Sequence, residues 1–200
     1  MKKLIAGLVL FLASCGASAV DLTVTRGFVR PLHQADGRIF CSAVVLQPGL
    51  ALTAEHCVAA MPGAIQPNGP AGIPLARGND RLDSALLNFT PGDAPCPCVR
   101  LADREADIDE VVYVVGYPRG MTQVVTLGHS QGVVDNPSMP YGRRLVVTAQ
   151  VAGGNSGGGV FVHRDGEFQL VGLLVEAIGH LSFAVPLADL RPFINSRNSL

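Results

Sequence analysis

Beyond Ala19 this chain never keeps one hydrophobic period long enough for a long helix. Short runs rich in Val, Ile, Leu, Phe and Thr recur instead, about every eight to twelve positions. They include Leu22–Val29, Ile39–Leu46, Ala85–Phe89, Val111–Val115, Gln123–Leu127, Leu145–Thr148, Val160–Val162, Leu170–Val175 and Phe183–Val185. Gly, Pro, Asn or Asp bound them, and the 23 Gly and 14 Pro are too scattered for low complexity, so they act as punctuation between strands. Such spacing predicts an all-β barrel or sandwich rather than alternating β and α units. Strand propensity alone does not choose between those two. The Pro-rich, acidic stretch from Pro91 to Glu110 has the weakest strand pattern and reads as the connection between two halves of about six strands each. Two helical segments are expected. Ala54–Ala60 has room for two turns, and Pro186 followed by Leu187, Leu190, Phe193 and Ile194 sets a three-to-four spacing over about 187–196.

The first residues read as an export leader. Met1-Lys2-Lys3 is a positive start, and Leu4–Leu12 is an apolar stretch of nine residues, too short to span a bilayer. Ala17-Ser18-Ala19 suits an ordinary signal peptidase, giving a leader of 1–19 and a mature chain of 20–200. Leu12-Ala13-Ser14-Cys15 suits lipoprotein processing instead, with a leader of 1–14 and a lipid on Cys15. The lipoprotein reading is preferred, because a cysteine at that place is uncommon by chance. Either route exports the chain to the periplasm or beyond, and the second leaves a possible lipid anchor at Cys15.

With 15 Lys+Arg against 16 Asp+Glu, charge is nearly balanced. No basic block or acidic tail is present, so nucleic acid and membrane surfaces have no electrostatic footprint here. With 200 residues, 48% of them hydrophobic, the chain can bury one core or two small ones. Four cysteines remain after processing: Cys41, Cys57, Cys96 and Cys98. An even number in an oxidising compartment suggests disulfides.

Three segments carry chemistry. Gly153-Gly154-Asn155-Ser156-Gly157-Gly158-Gly159 offers a serine in a tight turn, where glycines let backbone N–H groups point at an attacked carbonyl oxygen. The same residues would also suit a flexible loop or a bulge. Leu52-Thr53-Ala54-Glu55-His56-Cys57 places a histidine rigidly after an apolar strand, as a general base requires. His33, His129, His163 and His180 have no such setting. Arg81-Leu82-Asp83-Ser84-Ala85-Leu86-Leu87 sets an acid at the mouth of an apolar strand, which a plain turn aspartate would also do.

Together these segments resemble the chymotrypsin-like serine protease family, whose order His, Asp, Ser they share. Thr53-Ala54-Glu55-His56-Cys57 is similar to the family's T-A-A-H-C, with Glu55 replacing a small residue. Asp83-Ser84-Ala85-Leu86-Leu87 is similar to its D-x-A-L-L, and Asn155-Ser156-Gly157-Gly158 to the G-N-S-G-G of bacterial, HtrA-like members. Val115-Gly116-Tyr117-Pro118 and Ser182-Phe183-Ala184-Val185-Pro186 resemble further segments of that branch. The likeness runs from about Leu22 to Asn195. No room follows Pro186 for a PDZ-like domain, so chaperone or sensor behaviour does not transfer.

The resemblance implies two six-stranded antiparallel barrels, at about 20–95 and 108–186, with the site in the crevice between them. It implies Ser156 as nucleophile, His56 as general base, Asp83 as its orienter, and the N–H groups of Gly154 and Ser156 as oxyanion hole, with no metal or cofactor. Peptides or proteins are the implied substrates. A protease-shaped binding protein that no longer cuts is the alternative. Asn155 replaces the acid that captures a freed N-terminus in digestive members, so no activating cleavage of that kind is expected. Val175 stands where many relatives carry a hydroxyl that contacts the aspartate, leaving Asp83 one partner fewer. The family also often bridges the positions of Cys41 and Cys57, which would add roughly 3 kcal/mol on a chain-entropy view. Cys96 and Cys98 are then left to bond each other, to bond another chain or to stay free; the local bridge is preferred, and a zinc half-site lacks a second pair nearby. The specificity pocket maps to Gln150, Val151, Val175, Glu176, Ala177 and Ser182. Gln150 offers no charge at the pocket base, so burying a cationic side chain there would be costly. Medium-sized uncharged residues are the expected preference, with Glu176 the one group able to favour a cation.

Overall fold

The computed structural model describes residues 20–34, 36–60, 66–67, 73–78, 81–89, 95–135 and 142–196. The leader, with Cys15 and both processing sites, lies outside the described residues. No described helix is long and apolar enough to cross a membrane.

The first half is a six-stranded sheet of β1 (Val29–His33), β2 (Ile39–Gln47), β3 (Leu50–Thr53), β4 (Gln66–Pro67), β5 (Ile73–Arg77) and β6 (Ala85–Asn88), in the order β4-β1-β2-β3-β6-β5. Every described pairing in it is antiparallel. The second half holds β7 (Arg100–Leu101), β8 (Val111–Gly116), β9 (Val124–Asp135), β10 (Arg143–Val147), β11 (Gly159–Arg164), β12 (Glu167–Ile178) and β13 (Leu181–Pro186). Its order is β11-β8-β9-β10-β13-β12-β7, and the added β11–β12 pairing closes six of these strands into a barrel. Closure removes the exposed edges that an open sheet would leave. This is the chymotrypsin-like fold the resemblance implied.

Several strands outrun their sequence signals. β12 is buried without a break from Phe168 to Val175, so both of its faces are covered, and β11 and β13 pair its two edges. One expectation is corrected. Leu22–Val29 is not a strand: Leu22–Val24 is a 3-10 turn and α1 (Thr25–Phe28) follows. Asp21 Oδ1 accepts from the Thr23 N–H at 2.9 Å, and the Thr25 hydroxyl donates to Leu22 O at 2.7 Å. These local bonds compete with a ladder and win. The connection, where the strand pattern is weakest, carries among its described residues the two-residue β7, which adds in parallel to β12. Its Val99 N–H donates to Val45 O at 3.0 Å and its Ala102 N–H to Leu170 O at 2.9 Å, so the connection is tied to both halves.

The two helices lie close to expectation. α2 (Glu55–Ala59) follows β3 directly, and α3 (Leu187–Asn195) begins after Pro186 and buries Leu187 and Leu190. Burying each such leucine contributes about 2 kcal/mol.

Candidate active site

β3 ends at Thr53 and α2 starts two residues later, so His56 sits in the first turn of a short helix whose other face, Cys57 and Val58, is buried. Cys57 is joined to Cys41 of β2 by a disulfide. The helix is thereby clamped to the sheet on one side while the His56 side chain stands half exposed.

Asp83 ends the turn before β6 and adopts a φ of 43°, a left-handed conformation that aspartate tolerates at some cost. The turn aims both carboxylate oxygens at one residue. Oδ1 accepts from the His56 backbone N–H at 2.9 Å, and Oδ2 stands 2.8 Å from His56 Nδ1. Among the described residues these are Asp83's only hydrogen bonds, and Val175 beside the site is buried and apolar. The carboxylate hydrogen bond raises the His56 pKa above the usual 6.5, against the burial that lowers it. The charges of Asp83, Glu55 and Glu176 push the same way as that bond. A ring held at Nδ1 presents Nε2 outward.

The serine segment is fixed almost wholly by backbone. The Ser42 N–H donates to Ser156 O, and the Gly157 N–H to Leu174 O, both at 2.8 Å. Gly157 has a φ of +80°, and a Cβ there would stand 2.1 Å from Ser42 O and 2.2 Å from Thr53 Oγ1, so only glycine fits. Gly153 C=O accepts from the Arg119 N–H at 2.6 Å, and Asn155 C=O from the Gly158 N–H at 2.8 Å. In a trans peptide the following N–H points the opposite way. The N–H groups of Gly154 and Ser156 therefore each face away from the partner of the carbonyl before them.

Ser42 is a residue that the motifs did not point to. Fully buried in β2, it donates its hydroxyl to Gly154 O at 2.8 Å and accepts from the Tyr117 N–H at 3.1 Å. Its carbonyl accepts from Thr53 Oγ1 at 2.7 Å. One residue thus ties three segments together: its hydroxyl joins the Ser156 turn to the Tyr117 turn, and its carbonyl holds Thr53 at the end of the His56 strand. A polar residue within the apolar run Ile39–Leu46 was the available signal.

Among the described residues no hydrogen bond joins Ser156 Oγ to His56. Such bonds are often loose before substrate binds and tighten in the complex. Sulfur atoms of Cys41 and Cys57 and a His56 nitrogen lie within 4.8 Å of one another, yet those sulfurs are bonded together and offer no thiolate to a metal.

The six residues assigned to the pocket come from adjoining stretches. β12 and β13 pair Ala177 with Ser182 and Glu176 with Phe183. The Ser182 hydroxyl donates to Ala149 O at 2.6 Å, immediately before Gln150 and Val151. Ser182 is buried, and its hydroxyl joins β13 to the segment before Gln150. Gln150 and Ala177 are exposed, Val151 and Glu176 half-buried.

Residues 41–173 match the trypsin-like peptidase domain family. The chain belongs to that family. No curated protein matches it. Among solved structures, an inactive form of the Rv3671c protease aligns with 88% of this chain and 93% of its own at a TM-score of 0.69 and 18% identity. The HtrA-type protease AlgW, solved with a tripeptide, aligns with 89% of this chain and 63% of its own at 0.72 and 20% identity. The serine endoprotease of Yersinia pestis aligns with 90% of this chain and 66% of its own at 0.68 and 23% identity. At these identities the likeness establishes the trypsin-like fold; family and fold together support a serine protease.

Proposed function

We propose that this trypsin-like peptidase is an exported serine endopeptidase working through Ser156, His56 and Asp83. The observation that carries this reading is the carboxylate of Asp83 gripping His56 at both Nδ1 and the backbone N–H. That grip fixes the tautomer whose Nε2 accepts a proton. Ser156 Oγ attacks the peptide carbonyl, His56 takes its proton, and the N–H groups of Gly154 and Ser156 receive the developing oxyanion. His56 then protonates the leaving amine, and water resolves the acyl-enzyme by the same route in reverse. Asp83 stays ionised and stabilises the imidazolium between the steps.

Specificity follows from the lining. With Gln150, Val151, Val175 and Ala177 uncharged, the pocket takes medium-sized uncharged side chains such as Val, Ala, Leu or Met. Glu176 sits near enough to act on His56 by its charge, so it faces the reacting end of the site. Cleavage of a proteome-derived peptide library by the purified protein tests this reading. Cuts after uncharged residues, lost in Ser156→Ala, support it; a preference for Lys or Arg above about tenfold contradicts the pocket assignment. Export as a lipoprotein on Cys15 completes the proposal, and palmitate incorporation that depends on Cys15 checks it.

A further inference from the structure

The two disulfides are not alike. Cys41–Cys57 is buried and spans 16 positions beside His56. Cys96–Cys98 spans one residue, Pro97, a loop too short to remove much freedom from the unfolded chain. Both its cysteines are only partly buried, which is the setting in which thiols reach and reduce a disulfide. Stability alone therefore does not account for it.

Its surroundings are shaped. Pro97 lies so close to Gly27 of α1 that a Cβ there would stand 2.4 Å from the proline's own Cβ, which holds the cysteine pair against the helix. Cys98 then forms part of the wall of a cavity of about 570 Å³, with Val24, Phe28, Phe168, Arg100 and His163 around it. None of the candidate active-site residues lines this cavity. Asp21 and Glu167 add carboxylates to its rim, and the apolar part of the wall, Val20, Val24, Phe28 and Phe168, suits an aliphatic or aromatic side chain. The Arg100 charge is already met by Glu167 at 2.9 Å, so a small anionic thiol gains little from it.

We propose that Cys96–Cys98 is a thiol–disulfide exchange site that oxidises cysteine thiols of extended polypeptides, with an apolar residue beside the reacting cysteine seated in this cavity. His163 in the wall supplies an imidazole to take the proton of the incoming thiol. The thiolate attacks Cys98 Sγ, the sulfur of the cysteine that lines the cavity. The Cys96–Cys98 bond breaks, its electron pair leaves on Cys96, and Cys96 takes up a proton. A second thiolate of the same polypeptide then attacks the polypeptide sulfur of the mixed disulfide, releasing Cys98 as thiolate, which is protonated in turn. Two substrate thiols become one disulfide, and the Cys96–Cys98 disulfide becomes a dithiol. This step is independent of the proposed peptidase activity.

The test uses the purified full chain carrying Ser156→Ala, so that the probe is not cut. It is mixed with a synthetic peptide bearing two cysteines separated by Leu and Phe, or with glutathione at equal thiol concentration. Alkylation and peptide mapping follow each disulfide. The peptide should reduce Cys96–Cys98 at least about tenfold faster than glutathione does, with Cys41–Cys57 left intact. Val24→Glu, at a half-exposed position of the cavity wall, should bring the two rates close together. An intact Cys96–Cys98 after prolonged exposure would overturn the proposal. So would equal rates with glutathione, equal loss of Cys41–Cys57, or a preference unchanged by Val24→Glu.

Discussion

The two halves of the candidate site are held by opposite means. On the His56 side, side chains do the fixing: a disulfide clamps α2 to β2, and one carboxylate grips the imidazole. On the Ser156 side backbone hydrogen bonds hold the turn, the buried Ser42 hydroxyl being the side chain that joins them, and glycine is needed for the lack of a side chain. The difference has a chemical cause. A base must be held in one tautomer yet keep room to turn between substrate and leaving group. An oxyanion hole needs donors already aimed, and a rigid main chain provides them without fixing a side-chain rotamer. Deleting side chains should therefore damage the first half, and adding them the second.

The largest effect expected is on the first half. Asp83→Asn keeps the shape and removes the acceptor that sets the His56 tautomer, so kcat should fall by about four orders of magnitude. Steady-state kinetics on a cleaved library peptide measures this, and near-normal turnover would break the assignment. Gly157→Ala attacks the second half with one methyl. The positive φ and the contacts with Ser42 and Thr53 should together cost about 3 kcal/mol or more. Thermal unfolding is expected to show a large drop in midpoint along with lost activity; wild-type stability would mean the turn is not held as described.

The reactive groups of both halves were legible in the sequence, and the residue that joins them was not. The short-run pattern carried the all-β class, and the residues around His56, Asp83 and Ser156 stood out because each combines a reactive group with an unusual neighbour. Ser42 did not stand out, since its role lies in pairings across the halves rather than in any local pattern. Leu22–Val29 misled because alternation is indifferent to the Asp21 and Thr25 side chains that turn the backbone. β5 was missed for a related reason: Pro74 interrupts the run Ile73–Arg77, and the ladder with β6 takes an irregularity there.

A smaller effect separates clamp from chemistry. Replacing Cys41 and Cys57 together by Ala should cost roughly 3 kcal/mol of stability by the entropy of the released loop, while the Asp83–His56 contact survives. Chemical denaturation would show the loss, and kcat should change far less than in Asp83→Asn. An equal collapse of kcat would mean the disulfide, not the carboxylate, sets the base.

The smallest expected effect concerns Glu176. His56 acts as a base only when neutral, and its pKa is raised, so kcat/KM should fall as pH drops through a value above 6.5. Glu176→Gln removes one of the charges that raise it. The acid limb should then move to lower pH, with the plateau little changed. A limb that stays in place, or moves upward, would place Glu176 outside the field of His56.

Labelling with a fluorophosphonate probe tests the central claim most directly, because phosphonylation needs a serine activated by its own base and oxyanion donors. The account predicts one label per chain, mapped to Ser156, absent from Ser156→Ala and strongly slowed in His56→Ala and Asp83→Asn. A wild-type protein that takes no label, or takes it at another serine, would contradict it.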